Sequence, residues 1–376
     1  MSATRIFLDA SGSAPLTPRV TDALRAGFVD GWADPNRLHA ESRRARALVD
    51  GARGAIADVV GTQAEYVHFT PSVSLGFERV LSGICAARRG RNRIVASAIE
   101  RDALLAAAHY LAHDAVDVVS VDAVGHLDLE SFGAFTSDPA TAVAAVQHAN
   151  HEVGTVQRLA DISAITAAKS VPLVVDATAS IGHIDAPDQW DALVANPADW
   201  GGPGGIGVIA LRPQTRWLQA WPEGDPWAPG GISVPLALAA AVALQERVEE
   251  RERTALRLSG YIDQIRAAIG ELTDVAVIGD PLERLPHVLT AAFLYLDGEP
   301  LVNRLDREGI AVGSGSACGK ATFEPSRVLE VMGALTHGNL RIGLHPGVQE
   351  EDVRRFIGLL PRVIADVKSE MGVYGS

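Results

Sequence analysis

Ionisable side chains follow apolar, strand-like runs at three places in the first half of the chain. They are Glu100 and Arg101 after NRIVASAI, His151 and Glu152 after TAVAAVQHAN, and Asp176 at the end of VPLVVD. Carboxylate, imidazole and guanidinium groups are the side chains that transfer protons and hold small anions in enzymes. Because ligands collect at the carboxyl ends of strands in parallel sheets, these residues are the first candidates for a functional site.

Two glycine-rich segments add candidates. GGPGG at residues 201–205 leads into the apolar run IGVIAL, which predicts a tight turn before a buried strand. Glycine-rich loops also cradle phosphates, so the sequence leaves that role of the turn open. The second segment, VGSGSACGK, surrounds Cys318, and Lys320 nearby could lower the pKa of the thiol. Cys318 is therefore either a usable nucleophile or an inert cysteine in a turn.

Composition narrows the function classes. The chain has 376 residues, which suits two domains, and 47% of them are hydrophobic, as in ordinary globular proteins. The net charge of −13 without a basic block gives no support for nucleic-acid binding. We expect no disulfide framework, no metal site, no signal peptide and no membrane span, and therefore a cytoplasmic protein. Only three lysines occur, at positions 169, 320 and 368.

The elements that must position the candidates alternate between strand and helix. Near-continuous apolar strands separated by helices predict an α/β fold with a mainly parallel sheet that is covered on both faces. From about residue 236 the pattern changes to a long helix, over roughly 235–271, followed by shorter strands and helices. This part of the chain is predicted to form a second, smaller α+β domain.

The chain resembles the cysteine desulfurases of the class V aminotransferase family. The segments that carry the resemblance, in chain order, are FLDASGSAPLTPRV, HANHEVGTVQRLADI, LVVDATASIG, GSGSACGKATFEPSRVLEVMG and HGNLRIGL. The resemblance implies the pyridoxal phosphate (PLP) transferase fold of type I and a homodimer. It implies a large domain over 12–245 with a seven-stranded, mainly parallel sheet. The small α+β domain would comprise 1–11 and 246–376 and carry the Cys318 loop.

In that family a lysine holds PLP as a Schiff base, PLP acts as electron sink, and a mobile cysteine takes sulfur from substrate cysteine. Three residues match family positions. Asp176 matches the aspartate that pairs with the pyridine nitrogen, and a strand-end cap is its alternative role. Cys318 matches the mobile cysteine. Arg341 matches the arginine that binds the substrate carboxylate, and a structural salt bridge is the alternative.

Other positions depart from the family. The lysine position, three residues before the Gly202–Pro203 step, is Asp199, and an aspartate cannot form an imine. Arg101 replaces the histidine that stacks on the PLP ring, and His151 replaces the second asparagine of NNEVGT. The phosphate loop reads PSVSL and keeps Ser74, and PGGI at 229–232 replaces RSGT. These changes indicate a site that has been given up or rebuilt.

We therefore expect no cofactor, and three functions stay open. The first is a sulfur relay or scaffold protein that uses Cys318 and binds a sulfur-acceptor protein or an active desulfurase. The second is an enzyme of another class that uses Asp199, Arg101, His151 and Asp176 on a small anionic substrate. The third is a desulfurase or transferase with noncovalent PLP.

Overall fold

The structure is a computed structural model that describes residues 5–219, 224–315, 326–336 and 338–371. Its strands are β1 Ile6–Leu8, β2 Val67–Thr70, β3 Arg93–Ser97, β4 Val116–Val119, β5 Thr141–Gln147, β6 Leu173–Asp176, β7 Ala192–Ala195, β8 Gly207–Leu211, β9 Val275–Ile278, β10 Val288–Phe293, β11 Ile310–Val312 and β12 Asn339–Gly343. Its helices are α1 Pro18–Asp30, α2 Ala40–Val60, α3 Val73–Ala87, α4 Asp102–Ala112, α5 Leu129–Thr136, α6 Leu159–Ala168, α7 Val234–Gly270, α8 Gly298–Arg307, α9 Arg327–Val331 and α10 Glu350–Glu370.

The large sheet has seven strands in the order β2-β8-β7-β6-β5-β3-β4. The pairs β4–β3, β3–β5, β5–β6 and β6–β7 are parallel, and β8 is antiparallel to both of its neighbours. The predicted α/β fold with a mainly parallel seven-stranded sheet is thus confirmed. All seven residues of β5 are buried, because helices cover both faces of the sheet.

Two hydrophobic layers sandwich this sheet. One contains α1, α2 and the first part of α7, and the other contains α3 and α4. The apolar side chains of successive strand residues alternate between the two layers. Val95 and Val175, for example, belong to the first layer, whereas Ile94 and Val174 belong to the second. Because β3, β5, β6 and β7 run parallel to one another, their carboxyl ends lie at the same end of the sheet.

A second core joins the start of the chain to its last third. β12, β10 and β9 form an antiparallel sheet, and β1 pairs with β11 in parallel. These strands pack with the end of α7 and with α8 and α10 around a separate hydrophobic cluster. The domain bounds at residues 11 and 245 stay a prediction. In the part of the chain that the structure describes, no helix is long and apolar enough to cross a membrane.

Close packing of α1 against α7 depends on Gly27. A Cβ atom at this position would lie 2.5 Å from Cα of Pro235, so the two backbones could not keep their distance. We predict that Gly27→Ala lowers the free energy of unfolding by about 1–3 kcal/mol, as overpacking does. Gly51 in α2 is the control, since its Cβ would meet nothing within 4 Å.

In urea unfolding, Gly51→Ala should raise stability by about 0.5–1 kcal/mol, because alanine loses less backbone entropy than glycine in a helix. Equal effects of the two substitutions would contradict this packing argument.

Candidate functional site

The carboxyl ends of four parallel strands carry the predicted site residues. Arg101 follows β3 and precedes α4, His151 follows β5, Asp176 is the last residue of β6, and Asp199 lies in a short 3₁₀ turn after β7. The sheet thus brings these four side chains to one edge, as expected for ligand sites in parallel sheets. Their roles in a reaction stay predictions.

Arg101 joins two carboxylates. Its Nη2 lies 3.1 Å from Oδ1 of Asp199 and donates a hydrogen bond to it, and its Nε lies 3.4 Å from Oδ2 of Asp176. Burial lowers the pKa of Arg101, but the negative charges of Asp199 and Asp176 raise it by more, so the pKa lies above its usual value. The guanidinium is therefore charged, and it lies between the carboxylate at the end of β6 and the carboxylate after β7.

Both aspartates are almost fully buried. Asp176 is 2% and Asp199 is 4% exposed, and burial raises the pKa of each carboxyl while Arg101 opposes the rise. Oδ1 of Asp176 accepts hydrogen bonds from the backbone N–H and the hydroxyl of Thr178, at 2.9 and 2.6 Å. Within the described residues, Oδ2 of Asp176 and Oδ2 of Asp199 accept no hydrogen bond.

The turn that carries Asp199 is fixed from several sides. The side chain of Asn196 accepts a hydrogen bond from Ala198 N–H, and His183 donates from Nε2 to the Asp199 carbonyl at 2.8 Å. Gly201 ends the turn with φ of +88°, which glycine adopts without strain. The N–H groups of Gly201 and Gly202 bind carbonyls of the same turn, so these two are not free to bind a phosphate.

His151 lies near the arginines and is neutral. Burial lowers its pKa well below the usual value, and the charges of Arg101 and Arg341 lower it further. Its Nε2 is 3.9 Å from a carboxylate oxygen of Glu152, whose other oxygen accepts a hydrogen bond from Ser326 at 2.7 Å. A neutral imidazole beside charged groups can accept a proton or donate one from its N–H.

Arg341 lies on β12 and pairs with an aspartate that the sequence analysis did not single out. Its Nη2 is 3.4 Å from Oδ1 of Asp9, which directly follows β1. Burial raises the pKa of Asp9, and Arg341 opposes this rise. The position of Asp9 directly after a strand could have marked it as a candidate. Its strand, β1, pairs with β11 and does not belong to the large sheet.

Two further ionisable residues act on this cluster: Glu100, which the sequence analysis named among its candidates, and Arg327, which it did not single out. Glu100 is fully buried, and its Oε1 accepts a hydrogen bond from Gln147 N–H at 2.9 Å. Burial raises the pKa of Glu100 well above its usual value, and the nearby charge of Asp176 raises it further. Arg327 donates to the carbonyls of Ala98 and Glu100 and thereby ties α9 to the loop before Arg101. No local sequence signal marks this contact across 227 residues.

Ser74, another predicted site residue, stands apart from this cluster. Ser74 is exposed in the first turn of α3, and none of the hydrogen bonds among described residues joins it to Arg101 or Asp176. The hydroxyl that caps α3 belongs to Ser72, which accepts a hydrogen bond from Leu75 N–H at 3.2 Å. Cys318 and Lys320 lie outside the described residues.

Known proteins resemble the chain over nearly its whole length. Cysteine desulfurase IscS 1 of Archaeoglobus fulgidus is 30% identical over 381 residues, which cover 98% of this chain and 99% of that protein. The solved structure of a NifS-like protein superposes with a TM-score of 0.88 at 24% identity, covering 96% of this chain and 100% of the other. The apo structure of a cysteine desulfurase from Thermococcus onnurineus NA1 gives a TM-score of 0.85 at 20% identity, covering 96% and 95% of the two chains.

These relatives overturn the expectation of no cofactor. Two of them carry the name cysteine desulfurase, and the cysteine desulfurases that the sequence resembles are enzymes that use PLP. PLP is therefore the cofactor to which the family points. The expectation was wrong because it took departures from the family pattern, at position 199 and in the surrounding loops, as evidence that the cofactor itself is lost.

The residues present fit PLP without a covalent bond. Asp176 is buried, and its Oδ1 is held by Thr178. Its Oδ2 lies 3.4 Å from Nε of Arg101 but accepts no hydrogen bond among the described residues, so it could accept one from a protonated ring nitrogen. Asp199 does not fit covalent attachment, because a carboxylate has no amine to condense with an aldehyde. Of the two lysines that the structure describes, Lys169 caps α6 and Lys368 lies 3.3 Å from Asp274.

The family assignment rests on a match that covers nearly the whole chain. The family model that matches is described as Aminotransferase class-V, and it matches residues 6–235 and 234–356. The α/β fold with its mainly parallel seven-stranded sheet agrees with this match. The chain belongs to the class V aminotransferase family and is a cysteine desulfurase-like member of it.

Proposed function

We propose that this protein acts in sulfur transfer as a relay, has lost the lysine-dependent desulfurase reaction, and holds PLP without a covalent bond. The observation that carries the proposal is the buried ion pair at position 199. Asp199 occupies the lysine position, and the Arg101 guanidinium is 3.1 Å from it. A carboxylate paired in this way is neither a nucleophile for an aldehyde nor a strong base.

The chain's own residues would still hold the cofactor. Asp176 would bind the pyridine nitrogen through Oδ2, and the first turn of α3, with Ser72 and Ser74, would offer N–H groups and hydroxyls to the phosphate. PLP supplies an electron sink for carbanions when it is bound. Without an amine at position 199, the residues around it bind and orient a ligand but do not exchange it by covalent attachment.

Sulfur would pass through Cys318. Its thiolate attacks the outer sulfur of a donor persulfide, a new S–S bond forms, the S–S bond of the donor breaks, and the donor leaves as a thiolate. A desulfurase partner would supply the persulfide, and a sulfur-acceptor protein would receive the sulfur. A homodimer in the cytoplasm remains part of this proposal.

Glutathione persulfide tests the relay. We expect mass spectrometry to find one added sulfur atom on the peptide that contains Cys318, and none in the Cys318→Ser variant. Cys85 is an internal control, since burial raises the pKa of its thiol to about 11 and keeps it protonated. Sulfur added to Cys85 alone would overturn the relay. Alanine formed from L-cysteine with added PLP, at a rate typical of an enzyme, would overturn the loss of desulfurase activity.

An enzyme of another class is a second candidate, and the acid–base groups of the site favour it. Burial raises the pKa values of Asp176 and Asp199, and His151 is neutral, so donors and acceptors of protons surround Arg101. Native mass spectrometry separates this candidate from the relay. A bound small anion that is lost in Asp199→Asn supports the enzyme, and sulfur transfer that survives this substitution supports the relay.

A further inference from the structure

A cavity lies against Trp200 and Gly201, at the end of the turn that carries Asp199. Its volume is about 240 Å³, and it is bounded by the start of α1, the middle of α7 and the segment after β12. Among the residues that line it are Thr17, Trp200, Glu246, Arg247 and Glu250. Neither the family resemblance nor the proposed relay assigns a role to this cavity.

Arg247 is the central feature of the cavity. It is only 8% exposed, and its Nε donates to the Trp200 carbonyl at 3.2 Å. In the part of the chain that the structure describes, no carboxylate lies within 4 Å of its guanidinium. Burial lowers the pKa of Arg247 to about 10, so the group is charged at neutral pH. A buried cation without a paired anion is destabilising, so its burial here calls for a ligand of opposite charge.

The surrounding backbone makes room for this side chain. A Cβ atom at Gly182 would lie 2.7 Å from Cγ of Arg247, and one at Gly201 would lie 2.9 Å from its Nη2. Both glycines have φ near the left-handed region, at +84° and +88°. The two loops that follow β6 and β7 thus leave room for the Arg247 side chain. This indicates that the buried position of Arg247 is a fixed feature of the fold.

The remaining charges of the cavity are negative. Glu246 accepts a hydrogen bond from the Thr17 hydroxyl at 2.7 Å, and Glu250 accepts one from Arg253 at 2.9 Å. Both glutamates raise the pKa of Arg247, so they act on it across the cavity without a direct contact. Burial lowers the pKa of His345, which also lines the cavity and adds no charge at pH 7.

One cationic group and two carboxylates therefore face the same small space. A simple anion would be attracted by Arg247 and repelled by the glutamates. A simple cation would be attracted by the glutamates and repelled by Arg247. A small zwitterion satisfies both, and the volume accommodates one small molecule. We propose that this cavity binds a free α-amino acid, with its carboxylate on Arg247 and its ammonium group toward Glu246 and Glu250. The proposal does not rest on the relay function.

Calorimetric titration of the full-length protein with L-alanine tests the site. We expect saturable binding, and binding of acetate and of methylammonium at least about tenfold weaker, which corresponds to 1.4 kcal/mol. Glu250→Gln should weaken L-alanine binding by a similar factor, and Arg247→Gln should abolish it. Glu249→Gln is the matched control, because Glu249 lies on the same helix, pairs with Arg19 and does not line the cavity.

Glu250 is exposed, so its variant tests the site even if Arg247→Gln does not fold. Arg341→Gln, in the candidate active site, should leave L-alanine binding unchanged. Acetate binding as strong as L-alanine binding, or unchanged L-alanine binding in Glu250→Gln, would overturn the proposal. So would L-alanine binding that is lost in Arg341→Gln and kept in Arg247→Gln, because it would place the amino acid in the active site.

Discussion

The variant that carries Arg101→His and Asp199→Lys together should retain PLP through gel filtration, whereas the wild-type protein should lose it. An amine at position 199 can condense with the aldehyde of PLP, and the carboxylate cannot. Arg101 must change as well, because its guanidinium contacts both Asp176 and Asp199 and would repel the new ammonium group. We expect the occupancy of the double variant to rise from near zero to near one PLP per chain.

Borohydride reduction followed by peptide mass spectrometry locates the bond. The PLP adduct should appear on the peptide that contains position 199 in the double variant and be absent from the wild-type protein. Arg101→His with Asp199→Asn is the matched control, since it removes the same ion pair and offers no amine. An adduct on a wild-type lysine, or no adduct in the double variant, would refute the assignment of position 199 as the attachment point.

The alternation of apolar strands and helices was sufficient to predict a mainly parallel sheet, whereas the number of its strands came from the family resemblance. β5 and β6 are buried along their whole length and each ends in a polar residue, and this pattern places Asp176 and the residues after β5 at the same end of the sheet. Asp176 and the residues after β5 lie close together because their strands pair in parallel. The alternation of strands and helices in the sequence already implies this parallel pairing. The position of Asp199 required the family resemblance, because the turn after β7 has no periodicity of its own.

Contacts between distant segments could not be predicted in this way. Arg341 meets Asp9 across 332 residues, and Arg247 lies between two loops that follow β6 and β7. Such contacts depend on how α7 and the small sheet pack against the large sheet, and no local pattern encodes that packing. The expectation of no cofactor failed for a related reason: departures from a family motif at several positions do not show whether the folded pocket can still hold the cofactor.

The largest effect on stability is expected from Arg101→Met. Removal of one partner from a buried ion pair typically costs about 3–5 kcal/mol, and here two carboxylates would remain buried without their cation. Urea unfolding at pH 8 should show this loss. Arg19→Met is the control for removal of an arginine, because the pair of Arg19 with Glu249 is exposed and should contribute little.

The loss should depend on pH in a defined direction. Burial raises the pKa values of Asp176 and Asp199 in the folded state, so the folded protein binds more protons than the unfolded chain, and stability falls as pH rises through the folded-state values. Arg101 opposes this rise, and its removal moves both values further upward. Arg101→Met should therefore be much less destabilising at pH 5 than at pH 8.

A second substitution identifies the carboxylates as the cause. Adding Asp199→Asn to Arg101→Met removes one uncompensated charge from the buried site, so it should recover about 1–3 kcal/mol at pH 8 and little at pH 5. A loss that is equal at both pH values would mean that Arg101 stabilises the fold by packing alone. In that case the charge of the Arg101 guanidinium would no longer explain why Asp199 is tolerated in a buried site.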